Sequence, residues 1–136
     1  LLARRVRTGD RVGVWSANRY EWVVLQYATA RVGAILVTVN PAYKAGELEY
    51  ALNQSGVGLL CLAKGFRQTD YLAILSEVRP KCPQLRDTLV IDTDFDTLLS
   101  GGANVSDADL DAVEGKLQFE GRVRIEINDP ITDKRV

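Results

Sequence analysis

Ile35 to Val39 reads Ile-Leu-Val-Thr-Val, a β-branched run without polar alternation. Such a run is the mark of a strand covered on both faces, which in a soluble protein means a central parallel strand with helices above and below it. Parallel neighbours need crossover connections of a dozen or so residues, so the flanks must supply helices and further strands.

They do. Arg11 to Ser16 is a short apolar-rich run after the Gly9-Asp10 turn signal and reads as a strand. Asn18 is placed to cap the helix that follows. From Glu21 to Val32, apolar residues occupy nearly every side of a helical wheel (Trp22, Val23, Leu25, Tyr27, Ala28, Ala30, Val32), which predicts a helix buried all round, with Gly33 at its end. Asn40-Pro41 closes the Ile35 strand, since proline lacks the ladder N–H and restricts its predecessor. Leu48, Ala51, Leu52 and Ser55 then follow helical spacing up to Gly56. Gly58 to Ala63 is a third strand. Tyr71, Ile74, Leu75 and Val78 mark a third helix, ended by Pro80. Thr88 to Asp92 supplies a fourth strand. Strands alternating with helices of about ten residues predict right-handed βαβ units, hence a three-layer α/β/α fold with a mainly parallel sheet.

The texture changes after Asp92. Phe95, Leu98 and Leu99 suggest a short turn of helix, and Gly101-Gly102 opens a flexible loop, with Ser100 to Val105 the candidate linker. Ser106 to Asp109 has the shape of a capping box with aspartate in place of glutamate, leading into Leu110, Val113 and Leu117 on a half-exposed surface helix. Arg122 to Ile127 alternates strictly and reads as a half-buried edge or antiparallel strand. The expected organisation is one partial domain over residues 1–136: an α/β core at 1–92, a loop and surface helix at 93–121, and a strand and tail at 122–136. With 136 residues and 46% apolar content, the chain can bury roughly two thirds of its unfolded surface, enough for one core.

Several function classes are excluded. Seventeen basic and eighteen acidic residues give a formal charge of -1, so no long-range field favours nucleic acid or an anionic membrane. No apolar run approaches the roughly 18 to 20 residues of a transmembrane helix. Without histidine there is no imidazole base and no Ser-His-Asp triad. Cys61 lies in the apolar run Val57 to Ala63 and reads as a small core residue, whereas Cys82, between Pro80 and Pro83, is expected in an exposed loop. Their spacing matches no C-x-x-C metal or redox site. Methionine is absent even at position 1, which leads to the expectation of a processed or partial chain.

The parallel sheet invites a nucleotide hypothesis, but neither G-x-G-x-x-G nor G-x-x-x-x-G-K-[ST] occurs. The turn after the first strand is Ser16-Ala17-Asn18-Arg19, with no glycine to admit a pyrophosphate. Gly56-Val57-Gly58 precedes a strand and reads as a helix stop. Arg19, Tyr20, Glu21 and Trp22 are explained by a helix start, with Glu21 complementing the dipole and Trp22 facing a core. Tyr43, Lys44, Glu47, Glu49 and Tyr50 bracket the second helix, and Glu47 and Glu49 cannot share a face. Asp107, Asp109, Asp111 and Glu114 lack the glycine of a calcium loop and fit a solvated helix. No catalytic, cofactor-binding or metal-ligating residue is assigned.

Gly9-Asp10-Arg11-Val12, Glu21-Trp22, Ala30-Arg31-Val32-Gly33-Ala34, Asn40-Pro41-Ala42-Tyr43 and Glu47-Leu48-Glu49-Tyr50 together resemble the early N-terminal domain of the adenylate-forming (AMP-binding) enzymes. The string Asn40 to Leu52, with Phe66-Arg67-Gln68-Thr69-Asp70-Tyr71, is most similar to medium- to long-chain fatty acyl-CoA synthetases. The likeness runs from Gly9 to about Ile131 and is specific to about Val90. It implies a parent enzyme that activates a fatty acid with ATP and Mg²⁺ and passes it to coenzyme A. Asp129-Pro130-Ile131 resembles the lead-in to that family's phosphate loop, but Thr132 to Val136 departs from the pattern. The resemblance therefore implies an inactive N-terminal fragment with no cofactor of its own, whose partner is the remainder of the same enzyme and which self-associates through exposed apolar surface. The expected compartment is the cytoplasm, with the mitochondrial matrix as the alternative. Two other readings stand beside it: a naturally short, non-catalytic homologue that binds a protein partner, and a free-standing α/β module for a small acid or nucleotide.

Overall fold

The computed structural model describes residues 1–120 and 125–128, with side chains through Val113. In chain order the strands and helices are β1 (Arg11–Trp15), α1 (Tyr20–Val32), β2 (Ile35–Val39), α2 (Ala45–Ser55), β3 (Leu59–Leu62), β4 (Gly65–Phe66), β5 (Thr69–Asp70), α3 (Tyr71–Val78), β6 (Asp87–Val90), α4 (Ile91–Gly101), α5 (Asp107–Glu120) and β7 (Ile125–Asn128). Five strands form one wholly parallel sheet in the order β6-β3-β1-β2-β7. The α/β expectation is met.

The period of two along each strand divides the core between the two faces of the sheet. Trp15, Val37, Val39, Leu60 and Leu62 point to one face, where α2 and α3 lay down Leu48, Ala51, Leu52, Tyr71, Leu75 and Val78. Val12, Val14, Leu36, Cys61 and Leu89 point to the other, where α1 and α4 contribute Leu25, Val32, Ile91 and Phe95 and α5 adds Val113 at the margin. Gly13 is what lets the first face close. A Cβ there would lie 3.0 Å from Leu60 and 3.1 Å from Val57.

α1 ends at Gly33 and α2 at Gly56, each glycine in the left-handed conformation that stops a helix without Cβ strain. In α2 the Lys44 N–H donates to Glu47 Oε2 at 2.7 Å, giving that carboxylate its place at the helix start. The Ser106-Asp109 capping box is present in both directions, each bond 3.1 Å.

Several expectations need correction. Asn18 does not cap α1: the chain is still extended at Arg19, which occupies the cap position without a side-chain capping bond. α1 is not buried all round, since Tyr20, Val23, Val24 and Tyr27 are exposed while Glu21 and Thr29 face inward. Cys82 is buried, because the short 3-10 turn Arg79–Lys81 folds it back toward Val78 and Leu85. The fourth strand stops at Val90, whose N–H donates to Asp94 and opens a helix, so Ile91 and Asp92 are helical. That helix runs eleven residues where a short turn was expected, and Gly102–Asn104 is a 3-10 turn where a flexible loop and linker were expected. β7 is an edge strand as expected but pairs parallel with β2, Leu36 opposite Ile125, which settles the edge-or-antiparallel alternative. The antiparallel pair β4-β5 was not anticipated; two-residue strands carry no readable period. Arg122 to Arg124 and Asp129 to Val136 lie outside the described residues.

Candidate functional site

In an open parallel sheet, ligands collect at the carboxyl ends of the strands where the strand order reverses. Here that point lies between β1 and β3: the chain leaves β1 toward α1 on one face and leaves β3 toward α3 on the other. Two clusters of side chains occupy it.

On the α2/α3 side, Trp15 at the end of β1 stacks on Tyr71 at the start of α3, ring centroids 3.6 Å apart and planes within 8°. The Trp15 indole N–H donates to the carbonyl of Asn40 at 3.1 Å, and the Tyr71 hydroxyl donates to the carbonyl of Pro41 at 2.5 Å. Asn40 Oδ1 accepts the Ala42 N–H at 2.9 Å, and Tyr43 is buried. The Asn-Pro-Ala-Tyr string is thus a turn whose carbonyls are engaged by two buried aromatics. Burial pushes the Tyr71 phenol up to about 12, so it stays protonated and donating at neutral pH.

On the α1/α4 side, Arg19 grips Glu21 through Nε and Nη2 at 2.8 and 2.9 Å and reaches Asp92 through Nη1 at 2.8 Å. The second oxygen of Asp92 accepts the Lys64 backbone N–H, also at 2.8 Å. One guanidinium thereby ties the β1 turn to the start of α4, and Asp92 ties that to the end of β3. The side-chain bonds to Arg19 hold both carboxyls below their usual range, against the opposing push of burial. Carboxylates held ionised and already paired are poor general acids or bases at neutral pH. The cavity beside them, about 170 Å³, is lined by Arg19, Tyr20, Glu21, Ile91, Asp92, Thr93, Phe95 and Asp96.

Arg19 is satisfied by carboxylates, no glycine-rich loop precedes α1, and among the described residues no group of three or more Asp, Glu or Cys side chains converges as a metal site. The residues described here do not fit a triphosphate or its magnesium, and no step of a reaction is routed through them. The acidic run at Asp107, Asp109 and Asp111 sits in and around the first turn of α5. Burial pushes the Cys61 thiol up to about 12 and raises that of Cys82 as well, so neither is a nucleophile. Sequence reasoning missed the Arg19-Glu21-Asp92 clasp. The available signal was an arginine two residues before a helix-start glutamate, with an aspartate at the end of another apolar run.

Fold and edge together define a doubly wound α/β domain whose switch point is filled by its own side chains. The chain belongs to the AMP-binding enzyme family, whose model matches residues 1–131. It is similar to the mitochondrial medium-chain acyl-CoA ligase ACSF2 of Bos taurus, 49% identical over 81 residues, which is 60% of this chain and 13% of that protein. It is also similar to the ACSF2 of Danio rerio, 30% identical over 98% of this chain and 25% of that protein. The fold matches that of a Mycobacterium tuberculosis fatty acyl CoA synthetase with a TM-score of 0.64, at 24% identity, covering 73% of this chain and 19% of the other. The chain thus spans between about an eighth and a quarter of the length of these relatives.

Proposed function

We propose that residues 1–136 are a scaffold portion of an ATP-dependent acyl-CoA ligase, one that converts a fatty acid, ATP and coenzyme A to acyl-CoA, AMP and pyrophosphate with Mg²⁺. The family match across residues 1–131 carries this reading, supported by 49% identity to a medium-chain ligase over 81 residues. Within that enzyme the chain forms a single partial domain whose α/β core is residues 1–92. Its contribution is architectural: it orders the carboxyl edge of a parallel sheet with two side-chain clusters and supplies no group of its own to the reaction, so it is inactive alone. The printed names of the ACSF2 relatives include "mitochondrial", which favours the matrix over the cytoplasm. No helix among the described residues is long and apolar enough to cross a membrane.

The test is to express the complete reading frame and measure acyl-CoA and AMP formed together from a series of fatty acids of six to eighteen carbons. Formation of both in equal amounts, dependent on acid, ATP and coenzyme A, with none from residues 1–136, is the expected result. Absence of both from a folded complete protein contradicts it.

A further inference from the structure

The formal charge of -1 averages two unlike edges of the sheet. At the carboxyl edge, among the described residues, Glu21, Glu47, Asp70, Asp92, Asp94 and Asp96 outnumber Arg19, Lys44, Lys64 and Arg67, as the helix N-termini gathered there favour. The amino edge is the reverse. Arg4, Arg5, Arg7, Arg11 and Arg86 gather there around two carboxylates, Asp10 and Asp87. The strand register assembles them from both ends of the segment. The Gly58 N–H donates to the Arg11 carbonyl at 3.0 Å and the Arg86 N–H donates to the Gly58 carbonyl at 2.9 Å, so one glycine separates the two arginines. The Arg86 guanidinium lies across that glycine, where a Cβ would meet Nε and Nη2 at 3.0 Å. Arg86 reaches Asp10 at 3.3 Å and Arg4 reaches Asp87 at 2.6 Å. Arg5 and Arg7 are exposed, and neither has a carboxylate partner among the described residues. Helix dipoles account for other cations at this edge, Arg31 in the last turn of α1 and Arg79 and Lys81 just after α3. They do not account for these five, none of which stands at the end of an α-helix.

We infer that this arginine-rich amino edge is a docking surface for an anionic phospholipid bilayer. Charge complementarity carries the assignment: each exposed cation is attracted separately to an anionic leaflet, and the guanidinium fork can hold a lipid phosphate through two N–H donors. Net charge concealed the surface because it averages what the fold separates. A nucleic acid fits the edge less well. Among the described residues the edge carries no aromatic ring on which a base could stack. α1 and α2 also stop at Gly33 and Gly56, within three residues of the strands they feed, so neither projects to enter a groove. The surface has a boundary. Leu110 of α5 lines one cavity with Leu1, Leu2 and Val32, so the acidic first turn of α5 borders the edge on the α1 side. Docking through the amino edge leaves the carboxyl edge, where ligands collect in such sheets, turned toward water.

The experiment uses the complete enzyme, sedimented with vesicles of phosphatidylcholine alone or with about 30% phosphatidylglycerol. Binding to the anionic vesicles at least tenfold tighter than to the neutral ones, and lost in about 0.5 M salt, is expected. Equal partition into both overturns the inference. Arg5→Gln combined with Arg7→Gln should weaken the anionic binding at least tenfold. Lys44→Gln combined with Arg67→Gln removes the same charge from exposed positions at the carboxyl edge and should leave binding within about twofold. Equal losses from the two pairs overturn the assignment to this edge. Hydrogen exchange of the unmodified enzyme adds a measurement that needs no mutation: anionic vesicles should slow residues 1–11 and leave residues 64–70 unchanged, and the reverse pattern overturns the inference. Tighter binding to duplex DNA than to the vesicles at the same salt overturns it in favour of a nucleic acid. Self-association that the Arg5 and Arg7 substitutions abolish, without vesicle binding, overturns it in favour of a second copy. The readout is independent of catalysis, so a failed ligase assay leaves it standing and a failed vesicle assay leaves the ligase reading standing.

Discussion

The two faces of the sheet are built differently. The α2/α3 face is finished: Trp15, Tyr71, Leu48, Leu52, Leu60 and Leu62 are all at or below 1% exposure, and the one stacked aromatic pair ties β1, α3 and the Asn40-Pro41 turn together. The α1/α4 face has a buried layer next to the sheet, then an ionic clasp at its carboxyl edge and an apolar stripe turned to solvent. Packing carried by shape alone closes a layer within one segment of chain. On α1 a second apolar stripe, Tyr20, Val23, Val24 and Tyr27, lies outside that layer.

The largest expected effect tests the closed face. Trp15→Ala removes a fully buried indole and its bond to Asn40, and should lower unfolding free energy by about 3 to 5 kcal/mol, read from the urea midpoint. A cost under 1 kcal/mol would mean that this face is not the rigid one. Gly13→Val overfills the same layer, with Val57 and Leu60 already at the contact limit, and should cost about 1 to 3 kcal/mol.

Arg19→Ala addresses the other face. It leaves Glu21, whose side chain is 10% exposed, without its partner, but Arg19 and Asp92 are each about 30% exposed and solvent screens them. The expected loss is about 1 to 2 kcal/mol, smaller than for a fully buried pair. The pH dependence has a definite sign. Glu21 and Asp92 have folded pKa values below their unfolded ones, so their contribution is whole above pH about 4 to 4.5 and is lost as the pH falls through the lowered folded values. Acid unfolding of Arg19→Ala should be correspondingly shallower over that window.

Where those variants probe, legibility in the sequence also differs. The closed face was readable because its elements are local: β2 reads from its own β-branched run, α2 from Leu48, Ala51 and Leu52 followed by Gly56, and α3 from Tyr71, Leu75 and Val78 at helical spacing. The α1/α4 face was not, because its determinants are pairwise and distant. Nothing local to Asp92 says that it meets Arg19 seventy-three positions away, and the fourth strand was read two residues past its end at Val90 for that reason. The all-round apolar pattern of α1 was read correctly as composition and wrongly as burial, since composition cannot say which of a helix's apolar residues the sheet covers. Cys82 was misplaced because prolines on both sides signal a turn without indicating which way it folds.

The smallest effect belongs to the open stripe. Tyr27→Ser should change the stability of residues 1–136 by less than about 0.5 kcal/mol, because the side chain is largely in water. It should also raise their solubility, scored as the concentration at which light scattering first increases. A loss of 2 kcal/mol would show that the stripe is packed within this segment.

The central claim is that the clasp at the switch point holds structure and takes no part in the chemistry. Fatty-acid-dependent exchange of labelled pyrophosphate into ATP by the complete enzyme carrying Asp92→Asn tests it most directly. The account predicts an exchange rate within about threefold of the unmodified enzyme at a temperature where the variant is fully folded. A fall of a hundredfold or more, with unfolding midpoint and far-ultraviolet spectrum unchanged, would contradict it and place Asp92 in the reaction.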